Sequence, residues 1–244
     1  LDQSDLFRTI ELLRPHGPTP GLAILIGMAT HHDRARGPDL AAEGLTVARA
    51  TGDPEAIAWV LWLTRSVIDP KDTVRNWSLL EETLALAREH DVKALLPFVL
   101  VATAERAHHE GKLTRARALQ EEAYAHAKAG GGKNQVAQAA MFLALGHAAV
   151  HDREAMDRYL EEAIAASREL GVRVFLADIL WQASWGEYQN GLLERSRDHA
   201  EESLSLVDPS VWPATAFQAH RNLARTYAAL GDLDEVELLR HNLV

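Results

Sequence analysis

The chain contains no cysteine. Disulfides, thiolate metal sites and cysteine nucleophiles are therefore excluded, and a cytoplasmic setting is the expectation. Aromatic residues make up only 6% of the 244 residues, and five lysines stand against twenty arginines. No apolar run approaches the roughly 18 residues that a membrane helix needs. The most apolar stretch, Gly21 to Ala29, is followed by His31, His32, Asp33 and Arg34. No basic segment precedes an apolar one near Leu1, so no secretory leader is read, and the missing initiator methionine suggests a piece of a longer protein. Basic excess is lacking too. A net charge of −10 leaves no face to neutralise phosphates, which argues against nucleic-acid binding. A phosphate-binding glycine loop, a nucleophile elbow and a His-Glu-x-x-His metal motif are also missing. The stretch AGGGKN (129–134) has a lysine after glycines but not the spacing or Ser/Thr of a nucleotide loop. It reads as a flexible linker.

What is present is a period. Glu-Glu pairs occur at 81–82, 121–122, 161–162 and 201–202, forty residues apart. The segment LLEETLALAREHDV (79–92) returns as YLEEAIAASRELGV (159–172), with LQEEAYAHAKAG (119–130) halfway between. A fixed period this long marks a stacked array in which each unit borrows its core from its neighbours. Each unit reads as two amphipathic helices around a turn column of His31, Lys71, Gly111, His151, Gly191 and Gly231. The next column often holds Asp (Asp72, Asp152, Asp232), whose carboxylate suits the free N–H groups of a starting helix. Punctuating segments put the unit ends near 51, 91, 130, 171, 208 and 244. Strand alternation is nowhere sustained. The expectation is an all-α single domain: a helix over 4–14, then about six helix pairs forming an α-solenoid.

The segment NLARTYAALGDLDEVELL (222–239) resembles a tetratricopeptide repeat, with Leu223, Ala224, Tyr227, Gly231 and Asp232 at the family's spacing. EGKLTRARALQEEA (110–123) is similar, with Gly111 at the turn and Ala116 and Ala123 in the two small slots of the second helix. In NGLLERSRDHAEES (190–203) the same places hold Gly191, Ser196 and Ser203. Small residues matter there because the helices of a unit cross closely. The likeness covers about residues 92–244. The first two units depart: Arg36, Asn76 and Glu43 stand in small slots, while Pro38 and Pro70 delay the second helices. HEAT and armadillo units share the period but not the Gly-Asp turn followed by small residues. The family's usual repeat is about thirty-four residues, so forty implies longer helices. That longer form resembles the sensor arrays of the large ATP-binding LuxR-family regulators, MalT among them. The resemblance implies the regulatory part of a bacterial transcriptional or signalling regulator, although their phosphate loop and DNA-binding helices are not present here.

Twelve histidines, among them His147 and His151 four apart, raise the question of a metal. A site needs three or four convergent ligands, and histidine near helix C-termini is favoured by the dipole alone, so no metal or cofactor is expected. The Glu-Glu pairs recur too regularly to be catalytic and read as a solvated outer face. Trp59, Trp77 and Trp212 read as packing residues. The resemblance puts first helices along a concave groove. One slot there runs Gly21, Leu61, Val101, Met141, Trp181, Arg221, and another runs Leu25, Arg65, Glu105, Leu145, Trp185, Arg225. Trp181, Trp185 and Tyr188 share a helix face, flanked by Met141 and Leu145 from the unit before and Arg221 and Arg225 from the unit after. Those seven residues are the candidate binding site, for a peptide or a small amphipathic anion. The alternative is that the tryptophans pack between first helices while the arginines meet Asp178 and Glu187. Further alternatives are a stand-alone small-molecule-binding protein or enzyme using the enclosed groove, with Glu105, His109 and Asp178 as its acid/base groups, or a structural spacer or oligomerisation scaffold, a homo-oligomer being possible.

Overall fold

The structure, a computed structural model, describes residues 3–33, 35–68 and 72–242. Among the described residues it is all-helical, with thirteen α-helices and no strand. They are α1 (Gln3–Leu13), α2 (Pro20–Ala29), α3 (Gly37–Thr51), α4 (Pro54–Thr64), α5 (Thr73–Glu89), α6 (Leu96–His109) and α7 (Leu113–Gly130). There follow α8 (Lys133–Ala148), α9 (Arg153–Leu170), α10 (Arg173–Gln189), α11 (Leu193–Leu206), α12 (Pro213–Leu230) and α13 (Leu233–Asn242). No helix among the described residues is long and apolar enough to cross a membrane.

The chain divides into two compact units, Leu1–Ala116 and Arg117–Val244. In the first, α2 packs on α3, α4 on α5, and the first helices α2 and α4 meet. Helix α1 covers α2: Leu6 and Ile10 are buried against Leu22 and Ile26, while Ser4, Asp5, Arg8 and Glu11 stay exposed. In the second unit the pairs are α8–α9, α10–α11 and α12–α13, with α10 also against α8 and α12.

Local chemistry sets the boundaries. Gly52 ends α3 in the left-handed conformation (φ 67°), and Asp53 then accepts the Glu55 N–H at 3.2 Å with Pro54 in the first turn of α4. Asp72 and Asp152 cap α5 and α9 through the Arg75 and Ala155 N–H groups, at 3.1 and 3.3 Å. Gly111, Gly191 and Gly231 are left-handed, and His151 takes the same conformation at φ 57°. Pro70 and Lys71 lie outside the described residues. AGGGKN is not a flexible linker: α7 runs to Gly130 and α8 starts at Lys133, leaving two residues between them.

The small slots are where the pattern places them in the later repeats. Ala123, Ser196 and Ser203 are fully buried and Ala116 nearly so. The hydroxyls are satisfied, as burial requires: Ser196 donates to Ser184 O at 2.9 Å and meets Thr226 Oγ1 at 2.9 Å, and Ser203 donates to Ala177 O at 2.8 Å. In the first pair the slots shift by one. Gly37 and Gly44 replace Arg36 and Glu43 there, and a Cβ on Gly44 would stand 3.3 Å from Val60 and 3.4 Å from Ile26. Glu43 instead turns outward to Arg14 Nε and Nη2 at 3.0 and 2.9 Å.

The Glu-Glu pairs lie mostly on a solvated face, and the second members of three of them also reach back one repeat to a cation late in the preceding second helix. Arg49–Glu82 spans 3.9 Å in the first unit, and Lys128–Glu162 and Arg168–Glu202 span 2.7 and 2.9 Å in the second. Each such exposed pair contributes about 0.2–1 kcal/mol.

Candidate ligand-binding face

Trp181, Trp185 and Tyr188 lie on one side of α10, all half-buried, where α12 packs. Trp181 donates its ring N–H to Asp178 Oδ1 at 2.9 Å, and the same oxygen accepts Thr215 Oγ1 at 3.0 Å. Asn222 Nδ2 donates to Trp181 O at 2.8 Å. Asp178 is therefore occupied by two donors and ties α10 to α12. The Trp185 ring stacks on Tyr188, with centroids 5.9 Å apart and planes at 15°. The Arg225 guanidinium also lies on Trp185, 5.2 Å from its centroid, at cation–π distance.

Arg221 and Arg225 have no ion pair among the described residues, and Arg225 is exposed. Arg221 Nε is buried without a hydrogen-bond partner, as are Gln218 Oε1 and Asn222 Oδ1 within one turn of the same helix. Buried polar atoms are seldom left unpaired, so α12 carries unused hydrogen-bonding capacity beside the tryptophans. Met141 is different: it is fully buried in the core between α8, α9 and α10 and lines no open surface. Leu145 is half-buried and packs on the same core, with its Cδ2 3.2 Å from the place a Cβ on Gly186 would take.

The acid/base alternative is dispersed. Glu105 and His109 sit one turn apart on α6 in the first unit, and Asp178 is on α10 in the second. Glu105 is open to solvent, yet the protein crowded around it pushes its carboxyl above the ordinary range, with His109 and then Arg65 pulling it back. Arg65 is held below its ordinary value by burial, against the pull of Glu105, and donates to Asn76 Oδ1 at 3.0 Å. His147 is buried rather than capping a surface. It contacts Asp152 through Nδ1 at 2.9 Å and Arg117 through Nε2 at 3.2 Å, and its ring stacks on Tyr159. No group of three or more His, Asp or Glu that could hold a metal occurs among the described residues. Trp59 and Trp77 are half-buried, but Trp212 is 47% exposed in the connection before α12 and is not a packing residue.

The sequence reading missed Glu187. It does not meet the arginine pair but turns into the core, fully buried, where Arg195 (Nε, 2.9 Å) and His199 (Nδ1, 2.8 Å) take its two oxygens. Arg195 reaches on to Asp157 at 2.8 Å. Burial works against the Arg195 charge, but Glu187 and Asp157 outweigh it and raise its pKa. The signal was the phase: Leu180, Ser184 and Glu187 lie on one buried stripe of α10. Beside this network, α9 and α11 enclose a groove of about 350 Å³ lined by Leu160, Glu161, Ile164, Arg195 and others. A groove of about 210 Å³ in the first unit is lined by Leu80, Glu81, Leu84 and Arg115, the residues eighty positions earlier. That recurrence marks a product of the repeat rather than a dedicated site.

No protein-family model matches the chain, and no curated protein sequence does. Among solved structures it is similar to the crystal structure of BtubC (BKLC) from P. vanneervenii, with a TM-score of 0.60 and 20% identity over 84% of this chain and 87% of that one. At that identity the likeness concerns the fold alone.

Proposed function

We propose that the protein is a tetratricopeptide-like solenoid module that senses a ligand or partner, the regulatory part of a bacterial transcriptional or signalling regulator working in the cytoplasm. Its ligand is a peptide or a small molecule with an apolar body and an anionic end, bound where α10 and α12 meet. The observation that carries this is the pair Arg221 and Arg225, both without a carboxylate, beside three half-buried aromatic rings. Guanidinium groups suit planar anions because they donate in a fixed fork. On this reading Arg225 leaves Trp185 for the anion, and the ligand's apolar body takes its place on the ring. Trp181, held by Asp178, orients the face, while Met141 and Leu145 support it from behind. The acidic composition, with a net charge of −10, supports a module that does not itself bind nucleic acid.

The test is a titration with 8-anilinonaphthalene-1-sulfonate, an aromatic body carrying one anion. Binding should quench tryptophan emission, and Arg225→Ala should weaken it by about 1.5–3 kcal/mol, the loss expected of one charge-assisted hydrogen bond. Binding that ignores Arg221→Ala, Arg225→Ala and Trp185→Ala alike would place the site elsewhere.

A further inference from the structure

Helix α11 is one turn short. Helices α5, α7 and α9 end at Glu89, Gly130 and Leu170, within one residue of the forty-residue step, whereas α11 ends at Leu206, four residues early. The cause is local. Pro209 has no N–H to give a helix and disfavours helical backbone at Asp208 before it, and Val207 is already extended at φ −122° and ψ 147°. The chain then takes a fixed turn. The Asp208 carbonyl accepts the Val211 and Trp212 N–H groups at 3.0 and 2.8 Å, and its Oδ1 accepts the N–H and the hydroxyl of Ser210 at 2.9 and 2.7 Å. In place of the missing turn, a groove of about 540 Å³ opens against the start of α10, lined by Val172, Val174, Leu206, Val207, Val211 and Trp212. Val172, Val211 and Trp212 are 46%, 62% and 47% exposed, so the groove is a contiguous apolar surface rather than a scatter of single side chains. Both of its borders are described chain within the second unit, and Val172 stays exposed although its own helix pair and the next one follow it.

We infer that this groove binds an aliphatic monocarboxylate. Charge selects the ligand. Arg173 borders the groove, exposed, and has no ion pair among the described residues. It donates one N–H to Ser205 O at 3.3 Å, a carbonyl in the last turn of α11 that has no partner within the helix. The rest of the guanidinium fork is free for a carboxylate, which it fits in its plane. The valines, Leu206 and the Trp212 ring then cover the aliphatic chain, and the volume falls in the roughly 300–1,000 Å³ range of small-molecule sites. Asp208 sits at the rim, and its Oδ1 is held in its own turn by Ser210. Its negative charge disfavours a second anionic group, so dicarboxylates and phosphate esters are rejected. The site is separate from the face where α10 meets α12. It uses the first turn of α10, more than two turns before Trp181, and does not rest on that reading.

Calorimetric titration of the 244-residue chain with octanoate, and hydrogen exchange with and without it, test this. The expected result is saturable binding with a Kd below about 10 mM and protection at 172–174 and 206–212. Arg173→Gln should weaken octanoate about tenfold or more, the loss of one charge-assisted hydrogen bond, and leave the binding of 1-octanol unchanged. Trp212→Ala should weaken both. Both side chains are exposed, so the two variants should keep the melting temperature of the parent chain. Octanedioate should bind more weakly than octanoate. The absence of saturable binding, an equal loss for octanoate and 1-octanol on Arg173→Gln, or no loss at all would overturn the inference. Protection centred on 218–225 with none at 172–174 would overturn it too, and would favour the face between α10 and α12 instead.

Discussion

The Arg225 guanidinium lies 5.2 Å from the centre of the Trp185 ring, a residue forty positions earlier in the chain. The same column brings the charge of Arg65 to bear on Glu105, also forty residues on. A side chain in this array thus meets its own repeat equivalent, and substitutions are felt one unit away.

Arg225→Ala should uncover one contact of Trp185 and cost about 0.5–1 kcal/mol, the value of an exposed cation–π pair. A red shift in tryptophan emission with a slightly lower melting temperature is the expected result. If Trp185→Ala instead abolishes the cooperative melt, its packing on Tyr188 matters more than its contact with Arg225.

His151 holds a left-handed turn that glycine holds at Gly111, Gly191 and Gly231. His151→Gly should stabilise the chain by about 0.5–1 kcal/mol, because only glycine adopts this conformation without a Cβ penalty. Gly111→Val should do the reverse. Hydrogen exchange should rise in the repeats adjoining residue 111 and not along the whole chain.

Removing Arg195 should be the most damaging surface-adjacent change. Glu187 is fully buried, and Arg195→Ala leaves its carboxylate with His199 alone. Stranding a buried charge typically costs about 3–5 kcal/mol. Denaturant melts should show that loss for Arg195→Ala and a smaller one for the double variant Arg195→Ala, Glu187→Leu, in which no charge is stranded.

Acid should weaken the fourth helix pair through Asp152. The Ala155 N–H first, and then the His147 ring, hold its carboxyl below the ordinary 3.8. A carboxyl lowered by folding contributes stability above its unfolded value and loses it as pH falls through the folded one. Asp152→Asn should therefore be less stable at neutral pH and flatten the melting curve below about pH 4. Tyr227 acts at the other extreme. Burial, with a hydrogen bond to Glu201, pushes it up to about 12, so its contribution holds below its ordinary 10.0 and is lost as pH rises toward 12.

The protein should show no binding to duplex DNA at physiological salt, since phosphate contacts need a basic face and the chain carries −10. A mobility shift at micromolar protein would contradict this.

The sequence by itself determined the all-helical class, the local caps that start and end helices, and the small slots of the later repeats, because each is set within one turn or one period. Asp53 and Asp152 cap the helices they precede, and Ser196 and Ser203 are small where the crossing is tight. Only tertiary packing decided what the polar groups do. Glu187 and Arg225 both follow an amphipathic pattern, yet one is buried under Arg195 and the other lies exposed on Trp185. Periodicity gives the direction in which a side chain leaves its helix, while its partner is set by how far the neighbouring helix is shifted. A one-residue shift exchanged Glu43 for Gly44 in the first pair. The repeat length fixes which units touch. The fit of side chains between them, which no period encodes, fixes which residues remain free to bind.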